Sequence, residues 1–506
     1  MGARESGTPT PEAWLELSRQ IQDLLTIAIR RSEWNPGRLL QIARLAGRLA
    51  WNAHPGSFVL AEVERALRDM PALDRGAPAA LPAAGSIAGR TLHVLTEAYE
   101  IGGHTRLVRR FIQAAEEDAA VVLVRQRAAF SPAWVAPGRK SVPVIDLETL
   151  GVRDEVRKVA ALRHLFQEAA RVVLHIHPDD AVSVAAAGRA PEADIRFYNH
   201  ADHVAWLGAA LPSLLINARA SGARLAVRRR GVPESRHALL PVPLEVPRPV
   251  SRHDARARLG IGASQRLILT VASAYKYNPV GGRSLVEALT AALERPDITL
   301  VAIGPGPAHP VFARLADRFP GRVQSLGVIP DPYDFRAAAD LYLDSYPFCS
   351  PTSLFESALV GTPVVAFQPD FEALEVLYNQ CPGVNRGDFA AGDPTLFARL
   401  VSDLLDSPAR RDSMLHAFQR GVGPSLPEAW KATWAGMLPR RSRGGDWTAP
   451  EIPVEPKLLD RVLAGLGRNP RDLLGQSGWK VTGIRTRLRV LALRLRHRAA
   501  VQRLIQ

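Results

Sequence analysis

Asp340-Leu-Tyr-Leu-Asp-Ser-Tyr-Pro-Phe-Cys-Ser-Pro-Thr-Ser-Leu-Phe-Glu-Ser-Ala-Leu-Val-Gly-Thr-Pro-Val-Val-Ala-Phe367 decides how the rest of the chain is read. The pattern predicts a short apolar strand from Leu341 to Leu343, ending near Tyr346-Pro347. A polar turn, a helix, a Gly-Thr-Pro break and a buried strand from Val364 to Phe367 follow. Thr352 and Ser353 stand where a helix N-cap stands. Glu356 comes in the first turn, and the Ser353 to Glu356 spacing matches a capping box. Two readings of this helix start remain open. One is an ordinary capped helix between two strands, with Glu356 as the box partner. In the other, the free backbone N–H groups, with Ser350 in the turn before them, receive an anion and above all a phosphate. A carboxylate one turn in would then accept hydrogen bonds from sugar hydroxyls.

Working outward, apolar runs recur as Leu267–Ser273, Ile298–Gly304, Val323–Ile329, Leu341–Tyr346 and Pro363–Phe367. Helix-length stretches separate the first three, which is the βαβ rhythm of a parallel sheet covered on both faces. Such sheets bind ligands at the C-terminal ends of their strands. The first run leads into Ala274-Tyr-Lys-Tyr-Asn-Pro279, which puts Lys276 at such an end. The second leads into Gly304-Pro-Gly306, and the third into Gly327-Val-Ile-Pro-Asp331, with Val328 in an apolar-backbone turn. A lysine, two turns and a helix start on one edge suit a nucleotide diphosphate.

The order "strand, Tyr-Lys-x-x-Pro", then "Leu-Asp-x-x-Pro … Thr-Ser … acidic … Gly-x-Pro-Val-Val", resembles the donor domain of GT-B glycosyltransferases. It is similar to the O-GlcNAc transferase family and its bacterial protein-glycosylating relatives. The resemblance spans roughly residues 265–370 and is looser over 90–250. It implies that Lys276 meets the nucleotide diphosphate, Thr352 and Ser353 the phosphates, and Glu356 the ribose. One departure stands out. The large retaining group of GT-B enzymes carries two glutamates separated by seven residues, and Phe348, eight ahead of Glu356, occupies the position of the first. A typical retaining member is thereby disfavoured, and inversion is expected.

The N-terminal half repeats the doubly wound pattern. Thr91–Thr96, Val121–Val124, Val142–Leu147, Val172–Ile176, Ile195–Tyr198 and Leu214–Asn217 are its candidate strands. Two such halves predict an α/β protein with two facing Rossmann-like domains and a cleft between them. Pro241 to Pro249, with four prolines, cannot be helical and suits an extended connection. After the first strand comes Glu97-Ala-Tyr-Glu-Ile-Gly-Gly-His-Thr-Arg106, where Gly102 and Gly103 permit close backbone approach to a ligand. The first loop of GT-B folds faces the cleft, so His104 is the leading candidate for general base. An imidazole with an unperturbed pKa near 6.5 suits proton removal at neutral pH. A polar turn residue is the plainer alternative.

Two further histidine groups are His175-Ile-His177-Pro-Asp-Asp180 and Asn199-His-Ala-Asp-His-Val-Ala-Trp-Leu-Gly208. Alternation puts His175 and His177 on one strand face. No third ligand follows at zinc spacing, so no metal is expected. They fit a lining, acceptor-binding or strand-end role. His203, beside Asp202, is the second candidate base.

At 506 residues and 47% hydrophobic content the chain has room for about two to four domains with large cores. Cys349 and Cys381 are the only cysteines, which argues against a disulfide scaffold and fits a reducing compartment. No apolar run reaches the roughly 18 residues of a membrane span, and the N-terminus lacks the order of a signal peptide. The Ala/Arg/Gly/Pro-rich usage fits a bacterial cytoplasmic protein. Helices are expected over residues 12–70.

The domain division that follows is 1–75 helical prefix, 76–89 linker, 90–245 acceptor domain, 246–440 nucleotide-sugar donor domain and 441–506 basic helical tail. From Lys457 to Gln506 there are twelve Lys or Arg and two Asp, a net +10 of the chain's +14. The two halves are therefore near neutral, which disfavours nucleic acid as their partner. Within the tail, Ile484, Leu488, Leu491, Leu495 and Ala499 fall at helical spacing among arginines. Residues 480–506 could pack on the body or lie on an anionic membrane surface, which would place the protein peripherally at the inner membrane. The expected partners are a nucleotide-sugar donor, UDP-linked, and a protein, glycan or lipid-linked acceptor, with no cofactor beyond the donor. A GT-B-shaped scaffold without activity is the reading outside the enzymes.

Overall fold

The computed structural model describes residues 10–71, 81, 87–99, 103–128, 130–131, 142–210, 214–262, 264–280, 282–438 and 457–467. The chain divides into two compact units. The first comprises Met1–Pro241 with Lys431–Gln506, and the second Val242–Trp430.

The first unit is built on seven parallel strands: β1 Thr91–Leu95, β2 Ala119–Leu123, β3 Val144–Asp146, β4 Arg171–His175, β5 Ile195–Asn199, β6 Leu214–Asn217 and β7 His237–Leu239. Their order is β3-β2-β1-β4-β5-β6-β7. β1, β2, β5 and β6 are buried along their whole length, as helices on both faces of a parallel sheet require. Strand β7 has no counterpart among the apolar runs. It is a three-residue edge strand, and its Leu239 is half exposed, so its pattern carried no signal.

The helices expected as a tethered prefix run Pro11–Arg30, Pro36–Asn52 and Ala61–Arg68. The Thr10 hydroxyl and the Asn35 side chain cap the first two, each accepting from the backbone N–H three residues on. Leu17, Ile21, Leu25 and Ala28 form an apolar stripe at helical spacing. Together with Leu39, Leu40 and Ala43 they share one buried cluster with Val159 and Leu162 of the helix Glu155–Glu168 and with strand residues Leu92 and Val94. The prefix is thus part of the first unit's core. Truncating one of these leucines to alanine costs about 2–5 kcal/mol.

The C-terminal segments of the first unit are also anchored. Trp434 is buried, donates through Nε1 to Glu117 at 3.1 Å and packs edge-on against Phe111. The helix Leu458–Leu466 buries Asp460, which accepts from Arg229 at 2.8 Å and pairs with His54 Nε2 at 2.8 Å. The basic stripe expected over residues 480–506 lies outside the described residues. Most of the expected linker does too.

The second unit carries β8 Arg266–Val271, β9 Ile298–Ile303, β10 Val323–Ser325, β11 Leu341–Leu343, β12 Val364–Phe367 and β13 Ala390–Ala391. The order is β10-β9-β8-β11-β12-β13, and every strand pair is parallel. β10 and β11 are shorter than their apolar runs, because the runs continue into the turns that leave the sheet. Among the described residues, no helix is long and apolar enough to cross a membrane.

Candidate functional site

In each sheet the winding direction reverses once, between β1 and β4 in the first unit and between β8 and β11 in the second. Open α/β sheets bind their ligands just outside the strand ends at such a reversal. The turns that follow these four strands therefore matter most.

In the second unit, β8 is followed by the 3₁₀ turn Ala274–Tyr277, which carries Lys276. His309 sets the turn's position, with Nε2 3.1 Å from the Ala274 carbonyl. The buried Tyr277 hydroxyl sets it further, 2.7 Å from that of Thr270. Gly304, at the end of β9, has φ +110°, and a Cβ there would sit 1.9 Å from the Ala272 carbonyl oxygen. Only glycine lets these two strand ends approach so closely. Lys276 Nζ donates to the Cys349 carbonyl at 2.7 Å and to Ser350 Oγ at 3.1 Å, and lies 4.8 Å from the Phe348 ring centroid. The lysine thus reaches from the β8 turn to the β11 turn.

The helix after β11 starts earlier than the capping-box spacing predicts. It runs Pro351–Leu359, with Ser350 as N-cap residue and no side-chain cap. The Ser350 hydroxyl is engaged by Lys276 instead. Pro351 has no N–H, and Leu354 N–H is bonded to the Ser350 carbonyl. The N–H groups of Thr352 and Ser353 lie between them at the helix start, where donors point outward along the axis. Glu356 falls in the second turn, out of capping range. Its Oε2 pairs at 2.9 Å with Arg336, a buried guanidinium from the helix Tyr333–Ala338. Val328, in the turn after β10, is 75% exposed and two strands away from β8.

Asp344, at the end of β11, carries a role that the sequence pattern did not reveal. Its Oδ1 accepts from the Ser345 and Ser350 N–H groups, both at 2.9 Å, and its Oδ2 from Asn379 at 2.8 Å. Burial pushes its pKa up to about 6, although those donors and Lys276 pull it down. This carboxylate fixes the β11 turn and holds the helix start in place.

In the first unit, histidines stand in the middle of β1 and at the ends of β4 and β5. His93 Nδ1 lies 3.0 Å from His175 Nε2, and His175 Nδ1 lies 2.8 Å from His200 Nε2. The three rings form a chain, because His175 spends both nitrogens in opposite directions. Among the described residues, no group of three or more His, Cys, Asp or Glu side chains is arranged to hold a metal. Burial drives His93 down to about 3, and burial together with neighbouring histidines drives His175 and His200 well below the usual imidazole value. All three stay neutral at pH 7.

His104 lies in the first turn of the helix Gly103–Ala115, with Nε2 2.8 Å from the His175 carbonyl oxygen. That bond puts its proton on Nε2 and leaves the Nδ1 lone pair as acceptor; Nδ1 is buried and has no hydrogen-bond partner among the described residues. Burial, then His177, pushes its pKa down to about 3. A Cβ at Gly103 would meet nothing within 4 Å, so the fold itself does not demand glycine there. His203 is placed differently. Its Nδ1 is 3.5 Å from Asp202, whose carboxylate is also held by Arg219 at 2.7 and 2.8 Å. His104, His175 and His200 are brought together, with the His104 and His200 ring centroids 4.5 Å apart.

Residues 265–407 match the family model described as Glycosyl transferases group 1. Among solved structures, the chain is similar to Anabaena Alr3699/HepE in complex with UDP. The TM-score is 0.53 at 16% identity, over 69% of this chain and 99% of that one.

The fold is GT-B.

The same GT-B protein in complex with UDP-glucose aligns at a TM-score of 0.51 and 15% identity, over 69% and 99% of the two chains. An O-GlcNAc transferase from Thermobaculum terrenum aligns at 0.48 and 12% identity, over 84% of this chain and 82% of that one. No curated protein matches the sequence. In GT-B terms, β1–β7 and β8–β13 are the two Rossmann-like sheets, and the matched glycosyltransferase span begins at β8 and takes in all of the second sheet.

Proposed function

We propose that this protein transfers a sugar from a UDP-linked donor to a hydroxyl or amide acceptor on a protein or glycan, with inversion at the anomeric carbon. The observation that carries this reading is the β8/β11 reversal within the glycosyltransferase span, where Lys276 and the Thr352/Ser353 helix start stand together. An ammonium and outward N–H groups are what a leaving diphosphate needs as negative charge builds on it. Glu356, paired with Arg336, would accept from the ribose hydroxyls, and the Gly327–Val328 turn would flank the nucleoside.

His104 Nδ1 would take the proton from the acceptor hydroxyl as that oxygen bonds to the anomeric carbon. The bond from that carbon to the phosphate oxygen breaks, and UDP leaves. Phe348, over Lys276, occupies the position where the retaining group has its first glutamate, which favours inversion. With Lys276 and the helix start carrying the diphosphate charge, the reaction draws on no metal.

A thermal-shift screen of UDP-, GDP-, ADP- and CMP-linked sugars tests the donor. UDP-sugars should raise Tm most, since binding of the folded state alone stabilises in proportion to the logarithm of ligand over Kd. NMR of the product anomer then tests inversion. Binding without turnover or hydrolysis of any donor would assign the chain to a GT-B-shaped scaffold.

A further inference from the structure

The edge of the first sheet also holds three aromatic rings that no step above uses. Trp51 closes the prefix helix Pro36–Asn52, Tyr99 follows β1, and His177 follows β4. The Tyr99 and His177 rings are nearly parallel, 7° apart in plane and 5.9 Å between centroids. The Trp51 ring lies 5.9 Å from that of His177, tilted by 45°. Trp51 is 37% exposed and Tyr99 40%, whereas Trp206, Trp430 and Trp434 are fully buried.

Tyr99 and the backbone of His177 are held in place. The Tyr99 hydroxyl donates to Glu97 Oε2 at 3.0 Å, and its N–H donates to Thr105 Oγ1 at 2.8 Å. The His177 N–H donates to Thr96 Oγ1 at 2.8 Å. Rigid apolar faces left open to water give up burial energy of about 25 cal/mol per Å². Holding them in one geometry is of use when something flat is to rest on them.

The charged groups that bear on the His177 ring are Asp179, Asp180, Arg125 and Glu97. Asp180 is consumed by Thr96 and Ser183. Asp179, 5% exposed, keeps Oδ1 without a hydrogen bond among the described residues, 3.7 Å from Arg125, whose Nε is likewise unbonded. A buried carboxylate oxygen that accepts nothing is costly unless a ligand hydroxyl or water completes it.

We propose that Trp51, Tyr99 and His177 form a platform for a pyranose ring of the acceptor, with Asp179 and Arg125 reading its equatorial hydroxyls. This rests on the glycosyltransferase reading, and it commits the acceptor to a glycan. A pyranose presents a face of axial C–H bonds and a rim of hydroxyls that each donate and accept. Aromatic faces beside a carboxylate and a guanidinium match both halves. A lipid chain would need an apolar groove, and the charges around His177 oppose one. The platform also gives the prefix a task, since Trp51 belongs to it.

Saturation-transfer NMR on the full chain tests this with the methyl glycosides of glucose, galactose, mannose and N-acetylglucosamine at millimolar concentration, without donor. At least one should show transfer to its ring C–H protons. That transfer should be lost in Trp51→Ala and in Tyr99→Ala and kept in Trp51→Phe, with Tm and calorimetric UDP affinity at parental values throughout. Absence of transfer in the parent, or transfer that survives Trp51→Ala, overturns the platform, as does displacement of the glycoside by UMP, which would make it a nucleobase site. Failure of the parent to bind UDP would instead remove the glycosyltransferase reading, and the glycoside signal is read independently of it.

Discussion

At the β1/β4 reversal the strands carry imidazoles linked ring to ring. At the β8/β11 reversal they carry an ammonium, a buried carboxylate and a helix start. At the first edge, burial keeps the imidazoles of His93, His104, His175 and His200 neutral. The second concentrates charge, with Lys276 bonded across two turns and Asp344 gripping the helix start from below. Topology decides where a ligand can bind, and the residues after the strands decide which. A neutral, tautomer-fixed imidazole suits moving a proton, while an ammonium beside a helix start suits receiving a phosphate.

The sharpest way to break this contrast is to remove one group from each edge and ask which kinetic quantity changes. His104→Ala should lower turnover by about 10²–10⁴-fold, the usual contribution of a general base, with UDP affinity unchanged. His203→Ala is the control. Near-parental turnover in His104→Ala would move the base elsewhere or make the enzyme retaining. Lys276→Ala should do the reverse. It should weaken UDP binding by about 10- to 100-fold, the worth of a hydrogen bond to a charged group, and leave uridine binding nearly unaltered. Equal calorimetric affinity for UDP in mutant and parent would remove Lys276 from the diphosphate site.

Glu356→Gln separates two roles that now meet in one carboxylate. As a ribose ligand, its loss should weaken uridine and UDP by the same factor, about tenfold. A lowered Tm with unaltered affinity would leave Glu356 with the Arg336 pair alone.

The smallest effect is on acid stability, and it differs in sign between the edges. A histidine whose folded pKa lies below its unfolded value of about 6.5 binds more protons when unfolded. Its contribution is present above pH 6.5 and is lost as pH falls toward the folded value. Asp344 is raised, so its contribution is present below its unfolded value and lost as pH rises through about 6. Hydrogen exchange, corrected for intrinsic rates, should therefore show β1 and β4 loosening between pH 6.5 and 5 before β8 and β11 do. Each kcal/mol lost lowers Tm by about 1–2 °C for a unit of this size. Equal loosening of both sheets would mean that the imidazole chain is not what makes the first unit acid-sensitive.

Much of the fold was legible because buried parallel strands are near-continuous apolar runs, and Lys276 was legible because it directly follows one. What escaped was whatever depends on partners far apart in sequence. His93 reads as one polar residue inside an apolar strand. Only the register that sets Leu95 against His175 brings the two imidazoles together, 82 positions apart. Ser353 and Glu356 satisfied a local spacing rule, yet Lys276 claims Ser350 and Arg336 claims Glu356, so tertiary partners displaced the local cap. Asp344 carries no local signal, because a carboxylate does not by itself mark a phosphate site. Its hydrogen bond to the Ser350 N–H, invisible in sequence, makes it part of the helix start.

That carboxylate has a consequence for how the donor would arrive. A diphosphate settling beside Lys276 brings negative charge close to an acid already pushed up to about 6. Like charge raises such an acid further, so part of the population would take a proton from the solvent on binding. Donor affinity would then decline as the medium becomes alkaline. The heat of binding would shift between phosphate and Tris buffers in proportion to their ionisation enthalpies, and Asp344→Asn would abolish that buffer dependence. The site would meet its nucleotide as a proton-coupled receptor.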